Sequence, residues 1–320
     1  MGPRLGELIN EYDVPGAQVA VLACGEIRDE AAGVLSAHTR VEVTNDSVFK
    51  VGSITKIWTA TLVQQLVDDG LLDLDSPVCR YLPGFTPSLT ARHLLTHTGG
   101  IDANHFFDTG RNGDAIERFV EAIAAEEHPV PPGTAFSYSN SGFVVLGRLV
   151  EVLRGRLFHD VLRERLVTPL GLRTVVTDAD EAILHRTAVG HREDGSPATA
   201  WAVAYGTAPS GSHFAMSARE LLEFVRLHLD DPKLAVLRET QVESVPDLGI
   251  GVVGWGLGWM LHRDGVVGHT GVSKGQKAFL RVAPDDGVAV AVLTNSVLAE
   301  PLAHRVFTEV LHDGAPQTTG

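Results

Sequence analysis

Apolar and polar positions follow two different rhythms along this 320-residue chain. After a short N-terminal helix, residues 17–24 and 26–34 read as the arms of a β-hairpin closed at Gly25, the first arm rich in Val and Leu. The C-terminal third has the same character: residues 257–261, 266–269, 278–282 and 288–293 are short β-branched or aromatic runs. Pro284-Asp285-Asp286-Gly287 makes a strong turn between the last two. The middle of the chain has a helical period instead. Ile54, Trp58, Leu62 and Leu66 stand on one i, i+4 row that stops at Gly70, the pattern of a buried helix with a glycine C-cap. Similar spacing predicts helices over residues 91–96, 115–126, 142–153, 161–167 and 218–229, and a last one over 299–311 before a frayed end at 316–320. Strands at both ends with helices between predict a sheet assembled from the two termini, with a largely helical region inserted.

Composition changes this picture little, but it removes some partners. With 44% hydrophobic and 21% charged residues the chain can bury a sizeable core. A formal net charge of -14 with no basic run offers no field for a phosphate backbone or an anionic bilayer, so neither nucleic acid nor membrane is an expected partner. The start, Met1-Gly2-Pro3-Arg4-Leu5-Gly6-Glu7, shows no apolar signal region, and the reading is cytoplasmic. Cys24 and Cys79 are too few for a disulfide framework and are expected as free buried thiols.

The candidate chemistry begins at Phe49-Lys50-Val51-Gly52-Ser53-Ile54-Thr55-Lys56. A serine at the start of the long apolar helix has a lysine three positions on, hence on the same face. A free serine is a weak nucleophile, and a lysine can act as its base if desolvation leaves the amine neutral. Tyr138-Ser139-Asn140 is a second element: the phenol of Tyr138 can pass a proton to a leaving group, and the amide of Asn140 can hold both the lysine and a substrate carbonyl. Gly268-His269-Thr270-Gly271 is a third. Its glycine permits close backbone approach, and the N–H of Val272 can pair with that of Ser53 as an oxyanion hole.

In this order and context the three elements resemble the serine β-lactamases and penicillin-recognising DD-peptidases, most of all the class C β-lactamase, DD-carboxypeptidase and esterase branch. The likeness runs through FKVGSITK, LDLDSPVCRYLP, HLLTHTGG, PPGTAFSYSNSGFVVLGRLVE, APSGSHFAMSARELLEF, GWGLGWM and GHTG. It implies an α/β (α+β) fold of the β-lactamase/transpeptidase type: an antiparallel sheet flanked by helices, with residues 1–76 and 206–320 forming the sheet part and 77–205 the inserted part. The site would lie in the cleft between them. It also implies that Ser53 attacks the carbonyl, that Lys56 and Tyr138 share the proton traffic, and that Asn140, His269, Thr270, Gly271 and Val272 bind substrate. The expected partner is a small-molecule acyl compound, an ester, amide or lactam, with water, an alcohol or an amine as acceptor; oligomeric state is left open. No metal or organic cofactor is called for, since serine, base and backbone donors suffice. A non-catalytic scaffold or sensor is the rival reading.

Three features depart from the family's usual strings, one of them the glycine pair that ends HLLTHTGG, where serine-glycine is more usual, a structural departure. His269 stands where many relatives have lysine, which suggests a weaker, titratable charge. Lys274 and Lys277 follow the third motif as either substrate contacts or solvated charges. Other patterns carry less. Gly249-Ile250-Gly251-Val252-Val253-Gly254 fits a dinucleotide glycine string but lacks a following helix, and His93 and His97 lack the glutamate and third ligand of a zinc site. Trp255, Trp259, Phe106 and Phe107 are candidates for cleft or core, and Asp73 and Asp75 for turn or cap residues.

Overall fold

The computed structural model describes residues 4–312 except 103–104, 106–107, 129, 199–200, 202–203 and 247–248. Phe106, Phe107 and the end at 316–320 lie outside the described residues. The expected hairpin forms from β1 (Gly16–Ala23) and β2 (Glu26–Gly33). Cys24 and Gly25 are its two-residue turn, with φ of 51° and 77°, as a tight turn matched to the strand twist requires. Cys24 is therefore exposed, contrary to expectation, and Cys79 is partly exposed; both are free.

Four further strands were anticipated near the C-terminus, and five are present: β6 (Val252–Trp255), β7 (Met260–His262), β8 (Val267–Ser273), β9 (Gln276–Ala283) and β10 (Val288–Thr294). β6 was concealed by its glycine, Gly254. A Cβ on Gly254 would sit 2.8 Å from the Val242 carbonyl, so the residue that spoils the strand pattern is the one that lets a neighbouring segment close in. The strands join in the order β2-β1-β10-β9-β8-β7-β6, antiparallel throughout, with Ala17 opposite Thr294 where the two ends of the chain meet. A small second sheet, β3 (Phe49–Lys50), β5 (Ala215–Met216) and β4 (Val175–Val176), uses strands too short to show a period.

Helices cover both faces. α1 (Leu5–Glu11) and α8 (Glu300–Phe307) bury Leu8, Leu302 and Val306 against Val290 and Val292. Alternate residues of the same strands, Ala20, Leu22, Ala291 and Leu293, face the larger core. That core holds α2 (Thr55–Asp68), α3 (Ala91–Leu95), α4 (Ala115–Ala124), α5 (Asn140–Arg154), α6 (Phe158–Leu162) and α7 (Ala218–Asp230). α2 is buried on nearly every side, its polar Thr55, Lys56, Thr59 and Thr61 included. The i, i+4 row therefore marked one side of a central helix, and the remaining sides are covered too. α2 closes at Gly70 (φ 69°), whose N–H bonds the Val67 carbonyl while Leu71 N–H reaches Leu66. Among the described residues no helix is long and apolar enough to cross a membrane.

Candidate active site

Ser53 lies in a tight turn, residues 52–54, that feeds into α2. Gly52 adopts φ 50° there. A Cβ on Gly52 would lie 2.7 Å from the Val272 nitrogen, and one on Gly271 would lie 1.9 Å from the Val51 carbonyl oxygen and 3.0 Å from the Ser53 nitrogen. The serine turn and β8 thus touch backbone to backbone, a contact two glycines make possible. The N–H groups of Ser53 and Val272 belong to these abutting segments.

Three residues on from Ser53, as the second residue of α2, Lys56 has no exposed surface. Its Nζ is 3.0 Å from Ser53 Oγ, 2.7 Å from Asn140 Oδ1 and 2.9 Å from the Ser210 carbonyl oxygen. Burial alone holds its pKa well below the usual lysine value. A neutral amine fits the three neighbours: its two N–H bonds go to the two carbonyl oxygens, which can only accept, and its lone pair is left to accept the proton of the Ser53 hydroxyl. Tyr138 hydrogen-bonds Ser53 and holds its ring 5.0 Å from Lys56 Nζ. Desolvation pushes its phenol pKa up, offset in part by the bond to Ser53, so the group is a proton-bearing phenol at neutral pH. Asn140 opens α5, whose first turn is capped by the Ser139 hydroxyl accepting from Gly142 N–H at 3.1 Å.

Of the eight residues singled out from the sequence, Ser53, Lys56, Tyr138 and Asn140 therefore meet, and Gly271 and Val272 abut them. Thr270 is half-buried, with its hydroxyl 3.8 Å from the Met260 sulfur. His269 is wholly buried, its ring 6.3 Å from that of Tyr138. Its Nδ1 is 2.7 Å from the Thr270 carbonyl, and burial, then Lys56, push its pKa down to about 3. The weak positive charge anticipated at this position is therefore absent at physiological pH, because an imidazolium cannot be hydrated there.

A cleft of about 370 Å³ opens beside these groups, lined by Ser53, Asn140, Ser210, Gly211, Val272 and Lys274 among others. Its volume suits a small molecule. The two lysines after the third motif separate in role: Lys277 is paired with Glu300 at 3.2 Å, whereas Lys274 faces the cleft from the β8–β9 turn. Sequence reasoning did not find the backbone acceptor Ser210, since a carbonyl carries no side-chain signal. Nor did it single out Lys50, which is 1% exposed, bonds the Ser212 carbonyl at 3.4 Å and is pushed down to about 7 by burial and then by Lys274. The residues weighed as decoys have other duties. His93 completes the cap of α3 with Thr90, Trp255 and Trp259 are fully buried, Asp75 pairs with Arg92, and the glycine string runs into β6.

Comparison with known proteins adds a lineage. The family model for Beta-lactamase matches residues 4–313. Penicillin-binding protein 4 of Amycolatopsis lactamdurans is 40% identical over 334 aligned residues, spanning 96% of this chain and 88% of that protein. The crystal structure of SurE superposes with a TM-score of 0.85 at 32% identity, covering 96% of this chain and 74% of that one. D-amino acid amidase from Ochrobactrum anthropi SV3, solved with L-phenylalanine amide, shares the fold with a TM-score of 0.83 at 22% identity over 97% of this chain and 98% of its own.

Proposed function

Because the chain belongs to the β-lactamase family, we propose that it is a serine hydrolase acting on an ester, amide or lactam of a small molecule through a covalent acyl-Ser53 intermediate. One observation carries the reading: a fully buried amine, its pKa pushed down by burial, stands 3.0 Å from a serine hydroxyl and also bonds the Asn140 and Ser210 oxygens. Lys56 takes the Ser53 proton as Oγ bonds to the substrate carbonyl carbon. The oxyanion forms against the N–H groups of Ser53 and Val272. Tyr138 delivers a proton to the departing oxygen or nitrogen and is reprotonated through Lys56. In the second half, water adds to the acyl carbon, the ester bond to Oγ breaks, and Ser53 regains its proton while the free acid leaves. Lys274 places a cation at the cleft and favours an acyl compound that carries a negative charge.

A second reading, acyl transfer to an amine, is supported by the likeness to SurE, which has also been solved with D-Leu and matches at 32% identity with a TM-score of 0.82. Labelling with a fluorophosphonate or a fluorescent penicillin, followed by turnover of a p-nitrophenyl ester with and without an added D-amino acid, tests both. Label and turnover that vanish in Ser53→Ala support the hydrolase. Faster release of nitrophenol with an N-acyl amino acid as product supports transfer. Labelling without turnover makes the protein an acylable sensor instead.

A further inference from the structure

His97 takes no part in the proton traffic proposed above, yet it holds the chain on both sides of Tyr138. Its carbonyl oxygen accepts from the N–H of Ser137 at 2.8 Å, and its Nδ1 accepts from the N–H of Ser139 at 2.9 Å. Its ring lies 4.3 Å from that of Tyr138, tilted by 32°. The peptide groups flanking the phenol therefore hang from one residue, and the phenol ring rests on the same side chain.

Local structure alone does not ask for a histidine here. α3 ends in a paired turn in which Thr98 N–H bonds the His93 carbonyl at 2.8 Å and His97 N–H bonds the Leu94 carbonyl at 3.3 Å. His97 occupies the left-handed position of that turn, φ 56°, where glycine is the strain-free choice. The residue is also 1% exposed, and because Nδ1 accepts a bond, the ring proton sits on Nε2, which has no hydrogen-bond partner among the described residues. Trp255 and Phe143 close around it, at 4.8 and 5.1 Å between ring centres. A strained backbone and an unsatisfied buried N–H are both costs, and glycine would avoid both. What glycine lacks is the acceptor for Ser139 and the ring beneath Tyr138. The acceptor persists only while the imidazole is neutral, and complete burial, the largest cause lowering its pKa, favours that form.

We infer that His97 is a positioning residue: its Nδ1 and its ring together fix the Tyr138 phenol against Ser53 and Lys56, so acylation depends on His97 only through Tyr138. The inference rests on the reading of Tyr138 as the proton carrier for Ser53, and the experiment separates the two. The second-order rate of Ser53 acylation by a fluorescent penicillin, whose ring nitrogen must be protonated as it leaves, is measured for the wild type, His97→Phe, His97→Asn, Tyr138→Phe and the two double variants. His97→Phe keeps an aromatic ring and removes the acceptor. His97→Asn keeps a short-armed acceptor on a residue that tolerates positive φ, and removes the ring.

Tyr138→Phe is expected to slow acylation roughly 100-fold or more. His97→Phe should slow it roughly 10- to 100-fold by displacing the phenol, with His97→Asn closer to wild type. In the Tyr138→Phe background either change at His97 should cost less than about twofold further. Losses that multiply in the double variants, or a His97→Phe protein that acylates at the wild-type rate, overturn the inference and leave the hydrolase reading standing. Wild-type acylation by Tyr138→Phe removes the assigned role of Tyr138 and the inference with it. If His97→Phe does not fold, His97→Gly, which removes acceptor and ring while suiting the backbone at φ 56°, takes its place in the cycle under the same criterion.

Discussion

Gly271→Ala tests the contact on which the oxyanion site depends. The added methyl carbon would lie 1.9 Å from the Val51 carbonyl oxygen, against a floor of 3.0 Å for real contacts, so β8 and the serine turn must part by about 1.1 Å. Backbone lies on both sides of the wedge, and no side chain can swing away. A displacement near 1 Å of reacting groups costs on the order of 100-fold in rate, and loss of one oxyanion donor costs a similar 100- to 1000-fold. A 100-fold loss corresponds to about 2.7 kcal/mol of transition-state stabilisation. The assay is acylation of Ser53 by a fluorescent penicillin under pseudo-first-order conditions, with thermal unfolding followed in parallel. Alanine is a common residue at an extended position, so the variant should remain folded while acylation falls by that factor. An acylation rate within threefold of wild type, in a protein with unchanged melting, would refute the claim that this backbone contact sets the site.

Two further changes probe the protonation states. Asn140→Asp puts a carboxylate where an amide oxygen now lies 2.7 Å from Lys56 Nζ, which favours the ammonium form; acylation at pH 7 should drop, and its pH midpoint should move upward. A midpoint that stays in place would show that Lys56 is not the titrating base. His228 and His269, both fully buried, are each pushed down to about 3, mainly by burial, while the unfolded chain protonates them near 6.5. Between those values the unfolded state binds more protons, so stability present above pH 6.5 is lost as pH falls, by about 1.4 kcal/mol per pH unit for each histidine. Urea midpoints at pH 7 and pH 5 measure this, and equal midpoints would contradict the neutral buried imidazoles.

The helix that carries the candidate site was legible because its signal is local: Ser53, in the turn that leads into α2, and Lys56 are three residues apart, and the apolar row that follows ends at a glycine. The sheet was legible as short β-branched or aromatic runs, although β6 hid behind Gly254, which a neighbour's approach requires. What could not be read was anything supplied by the backbone of a distant segment. The Ser210 carbonyl that takes one of the Lys56 N–H bonds, and the Pro209 carbonyl that takes the Thr59 hydroxyl at 2.7 Å, leave no mark at residues 209 and 210 beyond a turn-like composition. His269 shows a related limit. Its residue type suggested a titratable charge, but charge state is decided by burial, and burial comes from the packing of Trp255 and Tyr138 around it. His97 was weighed as a metal ligand because a spacing of four from His93 was visible; its bond to Ser139, 42 residues away, was not.

The pairing of β1 with β10 sets the order in which the proposed site can assemble. A ribosome extends the chain for most of its length before Thr294 emerges to meet Ala17, and Gly271, which must press on the serine turn, emerges almost as late. Pairings this remote in sequence form slowly and only once both partners exist. On the proposed role of Ser53, the nucleophile is thus made early and armed last: a nascent chain would carry Ser53 as an ordinary hydroxyl until Gly271 closes on its turn.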